Sequence, residues 1–120
     1  MIEQVRVSER GRMQLITIKK RTGVQNWNII CRWALVVSLR NNTKPALENI
    51  PADSSVEMTW RTFGGTYEKV YLGLLIQRLI NDDIEITKDN VNVYFRVHLH
   101  RGISFLTTSK LKKLKDYLKI

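Results

Sequence analysis

The sequence predicts a mainly α-helical, compact single-domain fold of about five helices with one or two short extended segments. Apolar residues recur at helical spacing in several segments, helix-capping residues precede those segments, and only short stretches alternate as strands do. A length of 120 residues leaves room for one hydrophobic core, so we expect a single domain over residues 1–120. The apolar fraction of 43% is ordinary for a globular protein.

The N-terminal segment predicts a short extended stretch followed by a helix. Residues 5–7 are expected to be extended, and Ser8 is a good N-cap for a helix over residues 9–21 that ends at Gly23. The apolar stripe of this helix is predicted on the face shared by Met13, Ile16 and Lys20, widened by Leu15 and Ile18.

A second helix is predicted over residues 27–40, with Asn26 as its N-cap. It is apolar around more than half of its circumference, so it lies either at the centre of the core or in a subunit interface, and burial in the core is the commoner outcome. The strand–helix–glycine–helix order of residues 4–40 is also similar in pattern to ribbon-helix-helix repressors, in which two copies pair their strands and insert them into the DNA major groove.

Residues 41–55 contain two prolines and predict a long connection. Residues 56–63 alternate well enough to be extended, and the glycine pair that follows turns the chain. A third helix is expected over residues 67–79, with Tyr71, Leu74, Leu75 and Leu79 facing inward.

The C-terminal third predicts two further helices. Thr87 is the expected N-cap of a fourth helix over residues 88–106. A short final helix is marked by Leu111, Leu114 and Leu118, and its outer face is rich in lysine.

The positive charge is concentrated at the two ends of the chain. Twenty Lys and Arg against eleven Asp and Glu give a net charge of +9. Residues 1–40 hold eight basic and two acidic side chains (net +6), residues 41–109 hold seven and eight (net −1), and residues 110–120 hold five and one (net +4). Because solubility alone does not require such an uneven distribution, a polyanion is the expected partner, with nucleic acid ahead of an anionic membrane surface.

The densest basic cluster is Lys19-Lys20-Arg21 at the end of the first predicted helix. Cations there also complement the helix dipole, but that effect accounts for one or two of them and not for six basic residues in sixteen. We therefore predict phosphate contacts without base readout, since no base-reading motif is visible. The predicted DNA-binding residues are Arg6, Arg10, Arg12, Lys19, Lys20, Arg21, Lys112 and Lys113.

The residues that could perform catalysis do not form a recognisable pattern. His98 and His100 are two positions apart, so on a helix they cannot share a metal. Cys31 lies in the apolar second helix, where a buried inert thiol is the usual outcome, and no cofactor motif is present. One alternative remains open: the carboxylates Asp82, Asp83, Glu85 and Asp89 could hold Mg²⁺ in a nuclease.

Compartment and membrane features favour a cytoplasmic protein. A single cysteine cannot form an intramolecular disulfide, no apolar stretch approaches the ~20 residues that span a bilayer, and the N-terminus does not have the order of a secretory signal. We expect no membrane partner.

Several segments together resemble the DndE family of bacterial DNA sulfur modification proteins. Residues 21–23 (RTG) leading into 28–32 (NIICR) are similar to the RTG…NILCR segment of that family, and the middle of the chain resembles its cyanobacterial branch. The segments of this middle and C-terminal match are 50–54 (IPADS), 57–61 (EMTWR), 63–65 (FGG), 77–78 (QR) and 95–102 (FRVHLHRG). The resemblance covers about residues 6–106.

The resemblance implies an accessory subunit of the system that replaces a non-bridging phosphate oxygen of DNA with sulfur, a modification associated with restriction. It further implies a homotetramer that favours nicked duplex DNA and works with the other subunits: a cysteine desulfurase, an iron–sulfur protein and an ATPase-like protein. The family's basic surface falls here on Lys19, Lys20 and Arg21. The function expected is a non-catalytic DNA-binding subunit; the alternatives are a metal-dependent nickase and an assembly bridge without DNA affinity.

Overall fold

In the computed structural model, residues 1–108 are described, and helices make up most of this part of the chain. The mainly α fold is confirmed, whereas the final helix predicted around Leu111, Leu114 and Leu118 lies outside the described residues. The elements are β1 (Gln4–Arg6), α1 (Glu9–Thr22), α2 (Trp27–Arg40), β2 (Glu57–Thr59), α3 (Trp60–Gly64), a 3₁₀ turn (Gly65–Tyr67), α4 (Glu68–Asn81) and α5 (Lys88–Thr108).

Helix α1 begins and ends with the residues predicted for it. The Ser8 Oγ accepts a hydrogen bond from the Gly11 N–H at 3.0 Å. Gly23 has a φ of 76°, and its N–H donates to the Lys19 carbonyl at 2.9 Å. This left-handed position is one that glycine adopts without steric cost, so the glycine stops the helix directly after its basic last turn.

The buried face of α1 is not the one predicted. Leu15 and Ile18 are fully buried, but Met13 is 54% exposed and Lys20 points to solvent. Helix α5 packs against the side of α1 that contains Gly11, where the missing side chain allows close approach.

Helices α2 and α5 form the centre of the core, which explains why α2 is apolar on most sides. Ile30, Ala34 and Leu35 of α2 are completely buried. Gly102 of α5 faces the Ala34 backbone so closely that a Cβ at this position would lie 1.7 Å from the Ala34 carbonyl oxygen. The expectation that α2 is a core helix is confirmed.

Strand β1 pairs with β2 of the same chain in an antiparallel arrangement, with Val5 opposite Met58. The strand–helix–helix order of the N-terminal part is therefore present, and the hydrogen-bonding partner of its strand is β2. Val5 is buried, so the small sheet covers one side of the helical core.

The extended segment predicted over residues 56–63 is largely wrong. Only Glu57–Thr59 is a strand, because the Thr59 Oγ1 accepts from the Thr62 N–H at 3.1 Å and starts helix α3. The helical turn points both Trp60 and Phe63 inward, where their rings stack with centroids 5.0 Å apart. The alternation of residues 56–63 did not indicate that Thr59 caps a helix and that the extended backbone ends there.

Leu74 was predicted to face inward from the third long helix, and this is also wrong, since it is 47% exposed on α4. The inward face contains Leu75, Leu79 and a buried arginine, Arg78. The Arg78 Nη1 donates to the Leu39 carbonyl at 2.9 Å and to the Asn41 carbonyl at 2.7 Å. Because arginine is seldom buried, the sequence pattern did not indicate that Arg78 lies on the inward face of α4.

The long connection between α2 and β2 is held by side chains at both ends. Arg78 and Arg101 both donate to the Thr43 carbonyl, at 2.6 and 2.9 Å. At the other end, the Asp53 carboxylate accepts from the Glu9 N–H at 2.8 Å, at the start of α1. The connection therefore lies against α1 and α5, beside the basic face described next.

Candidate nucleic-acid interface

The basic cluster Lys19-Lys20-Arg21 forms the last turn of α1. Lys20 and Arg21 are exposed, while Lys19 is half-buried with its Nζ 4.8 Å from the centre of the Trp27 ring. This cation–π contact holds Lys19 between the end of α1 and the start of α2. The three cations project from one corner of the molecule, where phosphates could approach them.

Arg21 also joins the cluster to the end of α5. Its Nη1 donates to the Thr107 carbonyl at 3.2 Å, which places the guanidinium beside the last described turn of that helix. The predicted contacts Lys112 and Lys113 lie outside the described residues.

A polar face runs along α1 from this cluster toward its N-terminus. Arg10, Gln14, Thr17 and Arg21 follow one another at helical spacings of four, three and four, so they lie on one side of the helix. Gln14 and Arg21 both hydrogen-bond to α5, through the Ser104 Oγ and the Thr107 carbonyl, which confirms that this side borders α5. Eleven residues at 1.5 Å each separate Arg10 from Arg21 by about 16 Å.

Arg6 and Arg12 differ from these residues because each is paired with a carboxylate. The Arg12 Nη2 lies 2.7 Å from Glu9 Oε1, and the Arg6 Nη2 lies 2.9 Å from Glu57 Oε2. The hydrogen bond from Arg12 lowers the pKa of Glu9, and the same bond raises the pKa of Arg12. The structure therefore separates the eight predicted contacts into three groups. Four lie on α1 and have no carboxylate partner within the described residues, two are paired with carboxylates, and two lie outside residues 1–108.

Trp27 and the start of α2 were not singled out from the sequence. Asn26 does precede α2, but its side chain makes no capping hydrogen bond. The first N–H groups of α2 thus have no side-chain acceptor, and they lie next to the Lys19–Trp27 contact. The sequence signal for this contact was an aromatic residue, Trp27, six to eight positions after the cations of residues 19–21.

Comparison with known proteins identifies the family. The model of the family described as DNA sulphur modification protein DndE matches residues 4–120. The chain belongs to the DndE family. The family resemblance seen in the sequence is thereby confirmed.

A solved DndE structure has the same fold as this DndE-family chain. It is the crystal structure of DndE from Escherichia coli B7A, described as involved in DNA phosphorothioation modification. The TM-score is 0.74 at 18% sequence identity, and the match covers 88% of this chain and 98% of that one. At this identity the likeness establishes a shared fold. No curated protein matches the chain.

The histidines of this DndE-family chain are packed into the structure. The His98 Nδ1 lies 2.7 Å from the Ser38 Oγ, and burial, with Arg101 and Arg78 nearby, lowers the pKa of His98 to about 3. The His100 Nε2 accepts from the Ser8 N–H at 3.0 Å, and burial lowers the pKa of His100 as well.

Cys31 and the carboxylates that follow α4 also have structural surroundings. Cys31 is fully buried, and burial raises the pKa of its thiol to about 12. The Asp82 Oδ2 accepts from Arg78 Nε at 3.0 Å and from the Tyr94 hydroxyl at 2.7 Å. Burial raises the pKa of Asp82, but these two hydrogen bonds outweigh burial and lower it. Within residues 1–108, no group of His, Cys, Asp or Glu is arranged to hold a metal ion.

A cavity of about 540 Å³ opens at the upstream end of the polar α1 face. Its floor is made by α1 and α5, and its roof by the long connection that Arg78, Arg101 and Asp53 hold in place. No helix in the described part of the chain has the length and hydropathy to cross a membrane.

Proposed function

We propose that this chain is a non-catalytic, cytoplasmic DNA-binding subunit of the DNA phosphorothioation machinery. It binds duplex DNA through phosphate contacts and prefers nicked duplexes. The observation that carries the proposal is the set of exposed cations on α1, Arg10, Lys20 and Arg21, which have no acidic partner within the described residues. Membership of the DndE family supports the sulfur modification role.

Phosphate contacts fit these residues better than base recognition does. Long, flexible, exposed cations neutralise phosphates without fixed geometry, and their binding releases counterions from DNA. Lys19 adds a further charge in the same helical turn as Lys20 and Arg21, held over Trp27. A nick makes the duplex easier to bend, so a surface that reads shape and backbone favours it without reading sequence. Arg6 and Arg12 contribute less, because their carboxylate partners already offset their charge.

The test is charge reversal with a matched control. The K19E/K20E/R21E variant is expected to lose DNA binding, because it replaces three attractive charges with three repulsive ones. The control is R40E/R61E/K88E, which changes the net charge by the same amount at three exposed cations on α2, α3 and α5.

Binding is measured by fluorescence anisotropy on a nicked duplex, and circular dichroism checks that both variants fold. Loss of binding in the first variant and retention in the control supports the proposal. Equal loss in both variants would show that total charge, and not this surface, governs binding. Retention in both would rule the surface out.

The absence of catalysis is proposed together with DNA binding and needs its own assay. Purified protein with Mg²⁺ is expected to leave supercoiled plasmid intact. Conversion to open circle that is blocked by EDTA, and lost when Asp82 and Asp83 are replaced by Ala, would restore the nickase hypothesis.

We further propose that the chain assembles with itself, as a homotetramer. Four large apolar side chains, Tyr67, Val70, Leu74 and Ile80, are 47–65% exposed near or on the outer face of α4. Exposed apolar patches of this kind mark interaction surfaces. Lys69 is the one charged side chain among the exposed residues of α4, so two copies that each carry +9 could meet there with little repulsion.

Light scattering after size-exclusion chromatography tests the assembly. The V70E/L74E variant is expected to be monomeric with unchanged helicity, since both side chains are exposed and make little contribution to the core. If the unaltered protein is an oligomer and the variant has the same mass, α4 is excluded as the contact. The same α4 face favours one alternative, an assembly bridge to the other subunits, which would show complex formation without DNA affinity.

A further inference from the structure

The cavity between α1, α5 and the long connection is not explained by phosphate contacts along α1. Its volume of about 540 Å³ lies within the range of roughly 300–1,000 Å³ that is usual for small-ligand sites. It is open on one side, and Arg10 stands at its edge as part of the polar α1 face.

The walls of the cavity supply apolar surface on two sides. Ile50 and Pro51 of the connection line one side, and Val97 of α5 lines another. Apolar surfaces that face each other across such a space suit a flat, weakly polar ring, because ring faces are less costly to desolvate than charged groups.

Most charged and polar groups of the lining are already occupied. Arg101 donates to the Ser38 hydroxyl and carbonyl, and Asp53 accepts from the Glu9 N–H. Both ring nitrogens of His100 are also hydrogen-bonded. Arg101 and His100 therefore have little capacity left for a ligand, whereas Asp53 keeps its second carboxylate oxygen free of any partner in the described part of the chain.

The groups still available are few and of mixed character. Arg10 has no hydrogen bond or ion pair with any residue between 1 and 108, and Glu48 and Asn49 are likewise without a partner in that range. Gln14 uses one amide hydrogen on the Ser104 Oγ at 3.3 Å, so its carbonyl oxygen remains free. The two cations of the lining, Arg10 and Arg101, are balanced by the two carboxylates, Glu48 and Asp53, and a lining without net charge does not suit a polyphosphate. It suits a ligand with a single phosphate and several hydrogen-bonding groups, which describes a nucleoside monophosphate unit.

The position of the cavity relates it to the DNA surface. Arg10 and Arg21 lie about 16 Å apart on the same face of α1, which corresponds to about five nucleotides of one strand at 3.4 Å each. A strand that follows this face from Arg21 reaches the cavity at Arg10. A continuous duplex cannot insert a nucleotide there without breaking a stack, whereas a strand end can do so at low cost.

We propose that this cavity binds one nucleotide unit, with its phosphate on Arg10 and its base between the connection and Val97. The unit is the terminal nucleotide of an interrupted strand, so the inference rests on the proposed DNA-binding function and explains its preference for nicked DNA by a built site. A free nucleoside monophosphate has the same chemistry, and the experiment distinguishes the two sources.

The probes are dumbbell duplexes, which have no strand ends, either closed or with one nick. The ratio of the Kd for the closed dumbbell to the Kd for the nicked one measures end recognition. The R10Q variant is expected to lower this ratio at least fivefold toward one. S104F, which fills the cavity, is expected to do the same while keeping its affinity for the closed dumbbell. R61Q, which removes an equal charge from an exposed position of α3 outside the cavity, is expected to leave the ratio unchanged.

The outcomes separate this inference from the proposed function. Binding of both dumbbells with a ratio of one in the unaltered protein would overturn the cavity inference and leave DNA binding intact. An unchanged ratio in both R10Q and S104F would also overturn it. Thermal melting shows whether S104F folds, and R10Q, at an exposed position, decides the case if it does not.

NMR titration with dAMP tests the free nucleotide. Shifts of the Gln14 side-chain amide and the Val97 backbone amide, lost in R10Q, are expected at millimolar dAMP if the cavity holds a nucleotide unit. If these shifts occur without binding to either dumbbell, the cavity binds free nucleotide and the DNA-binding function fails. If dAMP produces no shifts and the dumbbells bind with equal affinity, the cavity does not bind nucleotides.

Discussion

The salt dependence of DNA binding gives a quantitative test of which cations meet phosphates. The K20Q/R21Q variant removes two exposed, unpaired charges. The slope of log K against log salt concentration is about −0.9 for each phosphate contact, so two lost contacts make it shallower by about 1.8. Between 50 and 200 mM salt this amounts to about a twelvefold smaller loss of affinity.

The comparison variant is R6Q/R12Q, which removes the same charge from two residues that are bound to carboxylates. Its slope is expected to stay close to that of the unaltered protein, because the slope counts phosphates contacted and not total charge. Fluorescence anisotropy on one nicked duplex, at five salt concentrations, supplies both slopes. A slope unchanged in K20Q/R21Q, or changed equally in both variants, would refute the assignment of phosphates to the end of α1.

Three further predictions concern the fold that carries this surface. Gly102→Ala should destabilise the protein by more than about 3 kcal/mol or prevent folding, because its Cβ would overlap the Ala34 backbone. Gly73→Ala, with open space around it, should instead stabilise the protein by about 1 kcal/mol. Urea unfolding that ranks the two variants the other way would contradict the α2–α5 packing. Arg78→Ala should cost about 3–5 kcal/mol, since it leaves the carbonyls of Leu39 and Asn41 without a donor and removes one of the two donors to the Asp82 carboxylate and to the Thr43 carbonyl. A loss below 1 kcal/mol in the same assay would rule this out. The pKa of His98 is lowered from 6.5 to about 3, so the unfolded state takes up the proton first as the pH falls, and the free energy of unfolding should decrease by about 1.4 kcal/mol per pH unit below pH 6.5. His98→Gln should make this decrease, measured between pH 7 and 5, shallower. An unchanged slope would contradict the burial of a neutral imidazole.

The position of the long connection depends on two arginines, of which Arg78 is buried and Arg101 half-buried. Arg78 and Arg101 bind carbonyls at the end of α2 and hold the connection that follows it against α1 and α5. A buried guanidinium is costly to desolvate unless its N–H groups are hydrogen-bonded. Here the N–H groups donate to backbone carbonyls at the end of α2 and just beyond it, where regular helical hydrogen bonding stops. The cavity roof therefore has a defined position although it contains no regular secondary structure.

Local chemistry made much of this protein predictable from its sequence. Ser8 and Gly23 set the ends of α1 because an N-cap oxygen and a left-handed glycine act within one turn of the chain. The bounds of α2, the burial of Cys31 and the family also followed from the sequence. The basic cluster at the end of α1 was visible there too, since consecutive cations cannot all turn inward.

Only the tertiary structure decided which faces of the helices are buried and which cations remain free. Met13 and Leu74 are exposed because burial depends on where α5 and α2 lie, and the apolar pattern of one helix does not specify which of its sides a partner covers. Arg6 finds Glu57 only because β1 pairs with a strand fifty residues away. The cavity beside Arg10 is likewise made by three segments that are distant in sequence, so no local pattern could have indicated it.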